Sequence, residues 1–345
     1  MIKKFTVILL TFVIMATILL PGCSSDNVLY VYNWGDYIDK AVIKTFEKEY
    51  GIRVKYQTYT TNEDMYVKIS SGSAKYDVIF PSDYMINRMA QEGLIQKIDL
   101  NNITNFHLID DAFKGAEYDP DNSYSVPYMW GTVGILYNKT MVDDPVDSWD
   151  ILWNPKYSKK ILMVDSQRDS LGVALKRLGY SMNSTNEKEV DAAKNSLIEQ
   201  KPLVLAYVVD EARDKMINNE AALAVVWSGE AMLAMEENKN LAYAYPKEGT
   251  NIWFDSMAIP TSSQNKEAAE LFINFMCRTD IALKNAEYTG YSTPQRETKE
   301  LLDDEVKSNI AAYPDHSIIE RCEVFKYIGS FVEYYNKAWI EVTAS

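Results

Sequence analysis

Histidine is nearly missing from this 345-residue chain, which has two, His107 and His316, far apart in sequence. A Ser-His-Asp or Cys-His catalytic arrangement is therefore nearly excluded, and a His-rich metal site lacks its material. Cysteine is scarce as well, with three residues. Cys277 and Cys322 are too widely separated for a Cys-x-x-Cys redox or zinc motif, and both read as buried free thiols. The 14 glycines and 11 prolines form no repeat, low-complexity tract or flexible linker. There is no Gly-Lys-Ser/Thr phosphate loop, no Gly-x-Gly-x-x-Gly, no His-Glu-x-x-His and no Gly-x-Ser-x-Gly. Asp110-Asp111 and Asp143-Asp144 pair acids, but in loops, where adjacent carboxylates are usually solvated. Positive charge is also in deficit: 35 Lys plus Arg face 49 Asp plus Glu, for a net charge of −14. Such a surface repels phosphate backbones, so nucleic acid is not expected as a partner. No enzyme activity, cofactor or resident metal is expected.

A long hydrophobic run occurs once, from Phe5 to Leu20 behind Lys3 and Lys4. It is short for a membrane span and fits a signal-peptide core. Leu20-Pro21-Gly22-Cys23 then looks like a bacterial lipobox, although Pro21 departs from the usual small or hydroxylated residue. Residues 1–22 read as a lipoprotein signal peptide, with Cys23 as the lipid-bearing N-terminus of the mature chain. The mature chain keeps 33 basic and 49 acidic residues, a net charge of −16. Its expected place is extracytoplasmic, anchored by acyl chains to the cell membrane on its periplasmic side or outer surface.

From Val28 the chain alternates short strands and helices. Strands are expected at 29–32, 52–57 and 76–80, with helices at 37–50, 63–70 and from Pro81 to about Gln91. Gly51 stands where a helix C-terminus takes a left-handed residue. A second α/β region after Trp130 has expected strands at 134–137, 161–164, 203–207, 223–227 and 241–245. Helices are expected there near 170–179, 188–199, 211–218 and 229–238. Two regions of this size without a linker suggest that the backbone crosses between lobes as strands, with a ligand cleft between two sheets.

What the chain does have is aromatic residues beside acids near strand ends. Tyr32-Asn33-Trp34-Gly35-Asp36-Tyr37, Pro81-Ser82-Asp83-Tyr84 and Asp165-Ser166-Gln167-Arg168-Asp169 each follow an expected strand. Val226-Trp227-Ser228-Gly229-Glu230 does the same, and Ile252-Trp253-Phe254-Asp255-Ser256 lies between two more. Aromatic faces attract ammonium groups by roughly 0.5–2 kcal/mol each, and charge-assisted bonds to carboxylates add about 1.5–3 kcal/mol. A cleft holding both suits an elongated organic polycation. The structural alternatives are that Asp36 and Asp83 cap helices and that single tryptophans are core. Trp149, Trp153, Tyr124 and Tyr128 read as packing.

These residues resemble a known family. Tyr32-Asn33-Trp34-x-Asp36-Tyr37, Pro81-Ser82-x-Tyr84, Tyr124-Ser125-Val126-Pro127-Tyr128-Met129-Trp130-Gly131, Ser148-Trp149-x-x-Leu152-Trp153-x-Pro155-x-Tyr157, Trp253-x-Asp255-Ser256-x-Ala258-Ile259-Pro260 and Gly290-Tyr291-x-Thr293-Pro294 look like the bacterial spermidine/putrescine-binding proteins. The similarity runs in order over essentially the whole mature chain. It implies an α/β, two-lobed periplasmic-binding-protein fold of type II, each lobe a mainly parallel sheet flanked by helices. It also implies a monomeric receptor that captures a polyamine by lobe closure and delivers it to the permease of an ABC importer. One lobe would comprise 28–131 plus 256–300 and the other 132–255 plus 301–345, with crossovers near 131, 255 and 300. Carried over by position, the ligand-binding aromatics would be Trp34, Tyr37, Tyr84, Trp227, Trp253 and Tyr291. The acids would be Asp36, Asp169 and Asp255, with Ser82 as a hydroxyl partner and Asp83, Ser166 and Phe325 as further candidates. Ser166 stands where the spermidine receptors carry a carboxylate, Asp36 and Asp169 shorten two of their glutamates, and Phe325 aligns with a glutamine. Spermidine and putrescine therefore both remain open. The competing readings are a receptor of the same fold for ferric ion, a sugar or a cationic amino-acid derivative, or a sensor or adhesin lipoprotein.

Overall fold

A computed structural model describes residues 27–73 and 75–345. The signal segment and Cys23 lie outside the described residues. The strands are β1 (Val28–Trp34), β2 (Arg53–Tyr59), β3 (Val78–Ile79), β4 (Ile95–Gln96), β5 (Ser125–Asn138), β6 (Ile161–Val164), β7 (Val204–Val208), β8 (Leu223–Trp227), β9 (Leu241–Ala244) and β10 (Ile252–Pro260). They form one ladder in the order β2-β1-β3-β10-β5-β8-β6-β7, with β4 on β10 and β9 on β5. β1 is parallel to β2 and β3, and β6 is parallel to β7 and β8. Between these two parallel blocks, β10 runs antiparallel to both β3 and β5, and β5 runs antiparallel to β8. The two halves are thus continuous through β5 and β10, rather than two sheets tied by loops.

Local chemistry sets the elements. The helix Lys40–Tyr50 starts where Asp39 accepts from the Ala41 amide and stops at Gly51, whose φ of 66° is left-handed. Its apolar face puts Phe46 against Phe272 and Phe275, at ring distances of 5.0 and 5.3 Å. β2, at the sheet edge, directs Arg53, Lys55 and Gln57 to solvent, and such polar residues discourage edge-to-edge pairing. β6 lies between β7 and β8 and is buried at every position, as strands covered on both faces are. Cys277 and Cys322 are free.

Three expectations need correction. The strand expected at 134–137 is the end of the 14-residue β5, and residues 252–256, read as lying between strands, are the first half of β10. Pro127, Gly131 and Gly134 break the apolar pattern of β5, and each has a tertiary reason. A Cβ on Gly131 would come within 2.5 Å of the Trp253 ring, and one on Gly134 within 2.5 Å of the Tyr243 ring. At Pro127 the pairing steps: Asp255 faces Met129 but Ser256 faces Pro127, leaving Tyr128 as the extra residue of a bulge. Bulges aim side chains at sites, and this one lies opposite Asp255. The strand expected at 76–80 shrinks to Val78–Ile79 because the buried Asp77 carboxylate takes the Tyr30 amide at 2.9 Å.

The turn into β10 is equally constrained. Gly249 has φ of 86°, its carbonyl accepts from the Trp149 indole at 3.0 Å, and a Cβ there would fall on the Arg321 carbonyl. Gly249→Ala is expected to cost about 2–4 kcal/mol from strain and overpacking together. Chemical denaturation checks this, and a loss below about 0.5 kcal/mol, the range of a neutral surface change, would contradict it.

Candidate functional site

The carboxyl ends of β1 and β8 open toward a common space crossed by β5 and β10. β1 ends in Trp34, whose indole donates to the Phe80 carbonyl at 2.8 Å, while the Tyr59 hydroxyl donates to the same oxygen at 2.7 Å. The Trp34 and Tyr59 rings lie 4.6 Å apart. β8 ends in Trp227, which starts the helix Ser228–Glu237. The cleft encloses about 990 Å³ open to solvent, and all thirteen side chains named from the sequence line it.

Asp255 sits at its centre. The Tyr37 hydroxyl donates to Asp255 Oδ2 at 2.9 Å, whereas Oδ1 has no hydrogen-bond partner among the described residues. Tyr37 is held in turn by Tyr128, whose hydroxyl donates to the Tyr37 carbonyl at 2.7 Å. Tyr291 lies edge-on to both Tyr37 and Trp253, at 5.5 and 5.1 Å. On the opposite wall, the Ser166 hydroxyl donates to Asp169 Oδ2 at 2.7 Å, and Asp169 Oδ1 is buried without a hydrogen-bond partner among the described residues. The Tyr84 hydroxyl donates to Glu63 at 3.0 Å, and Tyr84 meets Phe325 edge-on at 6.2 Å.

The structure distinguishes Asp36 from Asp83. The helix after β1 is capped by Asp39 rather than Asp36, and Asp36 is exposed at the cleft mouth with φ of 41°. Asp83 is fully buried, and its two oxygens accept the backbone amides of Tyr84 at 2.7 Å and Phe254 at 3.0 Å. It ties the helix Asp83–Gln91 to β10, with both oxygens engaged by backbone. Ser82 pairs with the Asn62 side chain and bridges to Asp255 through its backbone.

Sequence reasoning left Glu63, Asp165, Arg168, Asp210 and Glu230 out of the lining, and Arg168 and Glu230 are the two that matter most. The Arg168 guanidinium is 3% exposed and lies over the Phe325 ring at 4.5 Å and the Tyr84 ring at 5.3 Å. It donates to the Lys326 carbonyl and to Asn183. Glu230 follows Trp227 by three residues in the first helical turn, a spacing that puts both on one face. That spacing was the available signal.

The electrostatics follow from dehydration. Burial pushes Asp255 up to about 7, against the opposing pull of the Ser82 and Tyr37 hydroxyls. It pushes Asp83 to about 8 despite two amide bonds, and Asp169 to about 6 despite Ser166 and Arg168. Glu230 rises to about 7, chiefly by burial, with Arg213 opposing. Each of these carboxyl groups is thus harder to ionise in the empty cleft than in water.

Two partly parallel blocks joined by crossing strands, with an acid-and-aromatic cleft at the junction, define a two-lobed solute-binding protein. The chain matches the profile of the bacterial extracellular solute-binding protein family over residues 41–314. It is 39% identical over 320 residues to the spermidine/putrescine-binding periplasmic protein of Salmonella typhimurium, covering 91% of this chain and 92% of that one. The structure of a putative spermidine/putrescine ABC transporter from Listeria monocytogenes superposes with a TM-score of 0.90 at 43% identity, covering 92% of this chain and 99% of the other. A spermidine/putrescine ABC transporter substrate-binding protein from Streptococcus pneumoniae gives 0.79 at 41% identity, over 92% and 99%. The chain belongs to the bacterial extracellular solute-binding protein family, and the likeness read from its motifs holds along its length.

The raised carboxyl values fix a pH dependence. Asp169, Asp255, Glu230 and Asp83 bind protons more tightly folded, at about 6 to 8, than unfolded, near 4. Their contribution to stability is therefore greatest below the unfolded value and is lost as pH rises through 6 to 8. The melting temperature of the ligand-free protein is expected to fall from pH 5 to pH 8, with a smaller slope in Asp255→Asn. Stability that is flat or rising over that window would contradict the assignment.

Proposed function

We propose that this chain is the extracytoplasmic receptor of a polyamine ABC importer, binding spermidine or putrescine between its lobes and passing it to the permease without altering it. The observation that carries this reading is the pair of buried carboxylate oxygens, on Asp255 and Asp169, with no hydrogen-bond partner among the described residues in a cleft lined by Trp34, Trp227, Trp253 and Tyr291. A buried anion without a partner is costly, and a ligand ammonium removes that cost. Tryptophan and tyrosine faces suit the methylenes and flank the charge. The relatives' names, which specify spermidine and putrescine, support the same ligand class.

In this reading the lobes are 28–131 with 256–300 and 132–255 with 301–345. The ladder between Ile252–Asp255 and Met129–Thr132 is consistent with crossovers near 131 and 255. The mutual hydrogen bonds of Trp130 and Ser292 bring the third connection alongside. Ligand would favour the closed arrangement by its greater affinity for it. The signal peptide at 1–22 and lipid on Cys23 would hold the receptor at the membrane surface, as a monomer.

A thermal-shift panel of polyamines, amino acids, sugars and ferric ion tests the ligand class, with stabilisation expected from polyamines alone. A shift from another class and none from polyamines would overturn the reading. For the site, Asp255→Asn keeps the shape but removes the charge, and about 10- to 100-fold weaker polyamine binding is expected by calorimetry. Unchanged affinity for every polyamine would remove Asp255 from the ligand.

A further inference from the structure

The cleft contains more acids than the sequence motifs suggested, and they are not equivalent. Each oxygen of Asp83 already accepts a backbone amide, and Asp36 faces water. Three carboxylates keep a buried oxygen with no hydrogen-bond partner among the described residues: Asp169 Oδ1, Asp255 Oδ1 and Glu230 Oε2. Asp169 and Asp255 are 6% and 5% exposed, and the Glu230 side chain is 16% exposed. The Trp253 indole Nε1 is likewise buried and unpartnered among the described residues, in a residue 7% exposed.

The three acids line one cleft. The Tyr37 hydroxyl donates to Asp255, Tyr291 stands edge-on to Tyr37, and the Tyr291 ring packs against Gly229, the residue before Glu230. On the other side Arg168, the residue before Asp169, lies over Tyr84, whose neighbour Asp83 holds the Phe254 amide beside Asp255. Contacts therefore lead from Asp255 to both other acids, with Tyr291 on the way to Glu230. Gly229 makes that packing possible, because a Cβ there would overlap the Tyr291 ring. Arg213 is the nearby cation at the Glu230 end, with Nη1 3.5 Å from Oε2, close enough for attraction but without a hydrogen bond.

We propose that Glu230 is the specificity-determining carboxylate of this cleft, receiving the third nitrogen of a triamine whose other two nitrogens meet Asp255 and Asp169. This rests on the polyamine reading and sharpens it. A diamine satisfies two of the three oxygens and leaves Glu230 Oε2 buried with only the 3.5 Å Arg213 pairing and no hydrogen bond, so the site favours the triamine relative to it. Asp36 does not take this role, since an exposed carboxylate is screened by water and discriminates weakly. Arg213 balances Glu230 in the empty site and gives way to an ammonium that donates a full hydrogen bond.

Calorimetric titration of the mature chain with spermidine and with putrescine tests this, using wild type, Glu230→Gln and Glu230→Asp. Wild type is expected to prefer spermidine. Glu230→Gln is expected to weaken spermidine about tenfold or more, and putrescine by no more than about threefold, so that the preference collapses. Glu230→Asp keeps the charge one methylene further back and should lose part of the preference; it reads the same ratio should the glutamine variant fail to fold. A ratio unchanged in the variants, or a wild type that binds putrescine at least as tightly as spermidine, overturns the role of Glu230 and leaves the polyamine reading standing. A folded wild type that binds neither amine overturns both.

Discussion

Dehydrated negative charge at the junction of the two strand blocks is the constraint on which the rest of the molecule depends. Asp255, Asp169 and Glu230 are withdrawn from water, yet each keeps an oxygen with no hydrogen-bond partner among the described residues. A protein optimised only for stability would pair such oxygens or replace the residues with apolar ones. Here neighbouring hydroxyls of Tyr37 and Ser166 fix the carboxylates in place while leaving one oxygen of each available. In the proposed reading, the stability forgone in the empty molecule would be recovered when a cation arrives, and that difference would support binding. Electrostatic preorganisation of this kind needs walls that do not relax.

The walls come from the way the chain crosses. β5 and β10 are central in a continuous ladder, so Trp253 and Asp255 are carried on a strand paired with β5, with Asp255 also bridged to Ser82, instead of on a loop. The bulge at Tyr128 supplies the hydroxyl that holds the Tyr37 carbonyl, and Tyr37 in turn holds Asp255. Asp83 closes the arrangement by joining a helix N-terminus to the Phe254 amide. Glycines at 131 and 229 are sites where an aromatic ring of the cleft occupies the space a side chain would take. The same few crossing residues thus serve as connection, wall and site, which explains how so little chain separates fold from function.

Much of this was legible in the sequence, for identifiable reasons. Elements with clean periodicity, such as the helix Lys40–Tyr50 and the strands β6 and β8, read at or near their observed limits. The recurring pairing of aromatics with acids near strand ends located the cleft, because the carboxyl ends of parallel strands converge there. β5 and β10 were harder. Their apolar pattern is broken by Pro127, Gly131, Gly134 and Asp255, whose reasons are tertiary: a bulge, two facing rings and the wall of the cleft. Arg168 and Glu230 were passed over as ordinary charges within quoted motifs, since burial is not a local property of sequence. Nothing in the neighbours of Asp83 announced that backbone amides from Phe254, far along the chain, would take its second oxygen.

In the proposed reading, the buried carboxyl groups of the empty cleft are partly protonated at neutral pH and would ionise on receiving a polycation. Titrating the protein with a polyamine at pH 7, in two buffers of different ionisation enthalpy, measures this directly through the protons exchanged on binding. The account predicts saturable binding with net proton release. Saturable binding with no proton exchange, or with uptake, would contradict it.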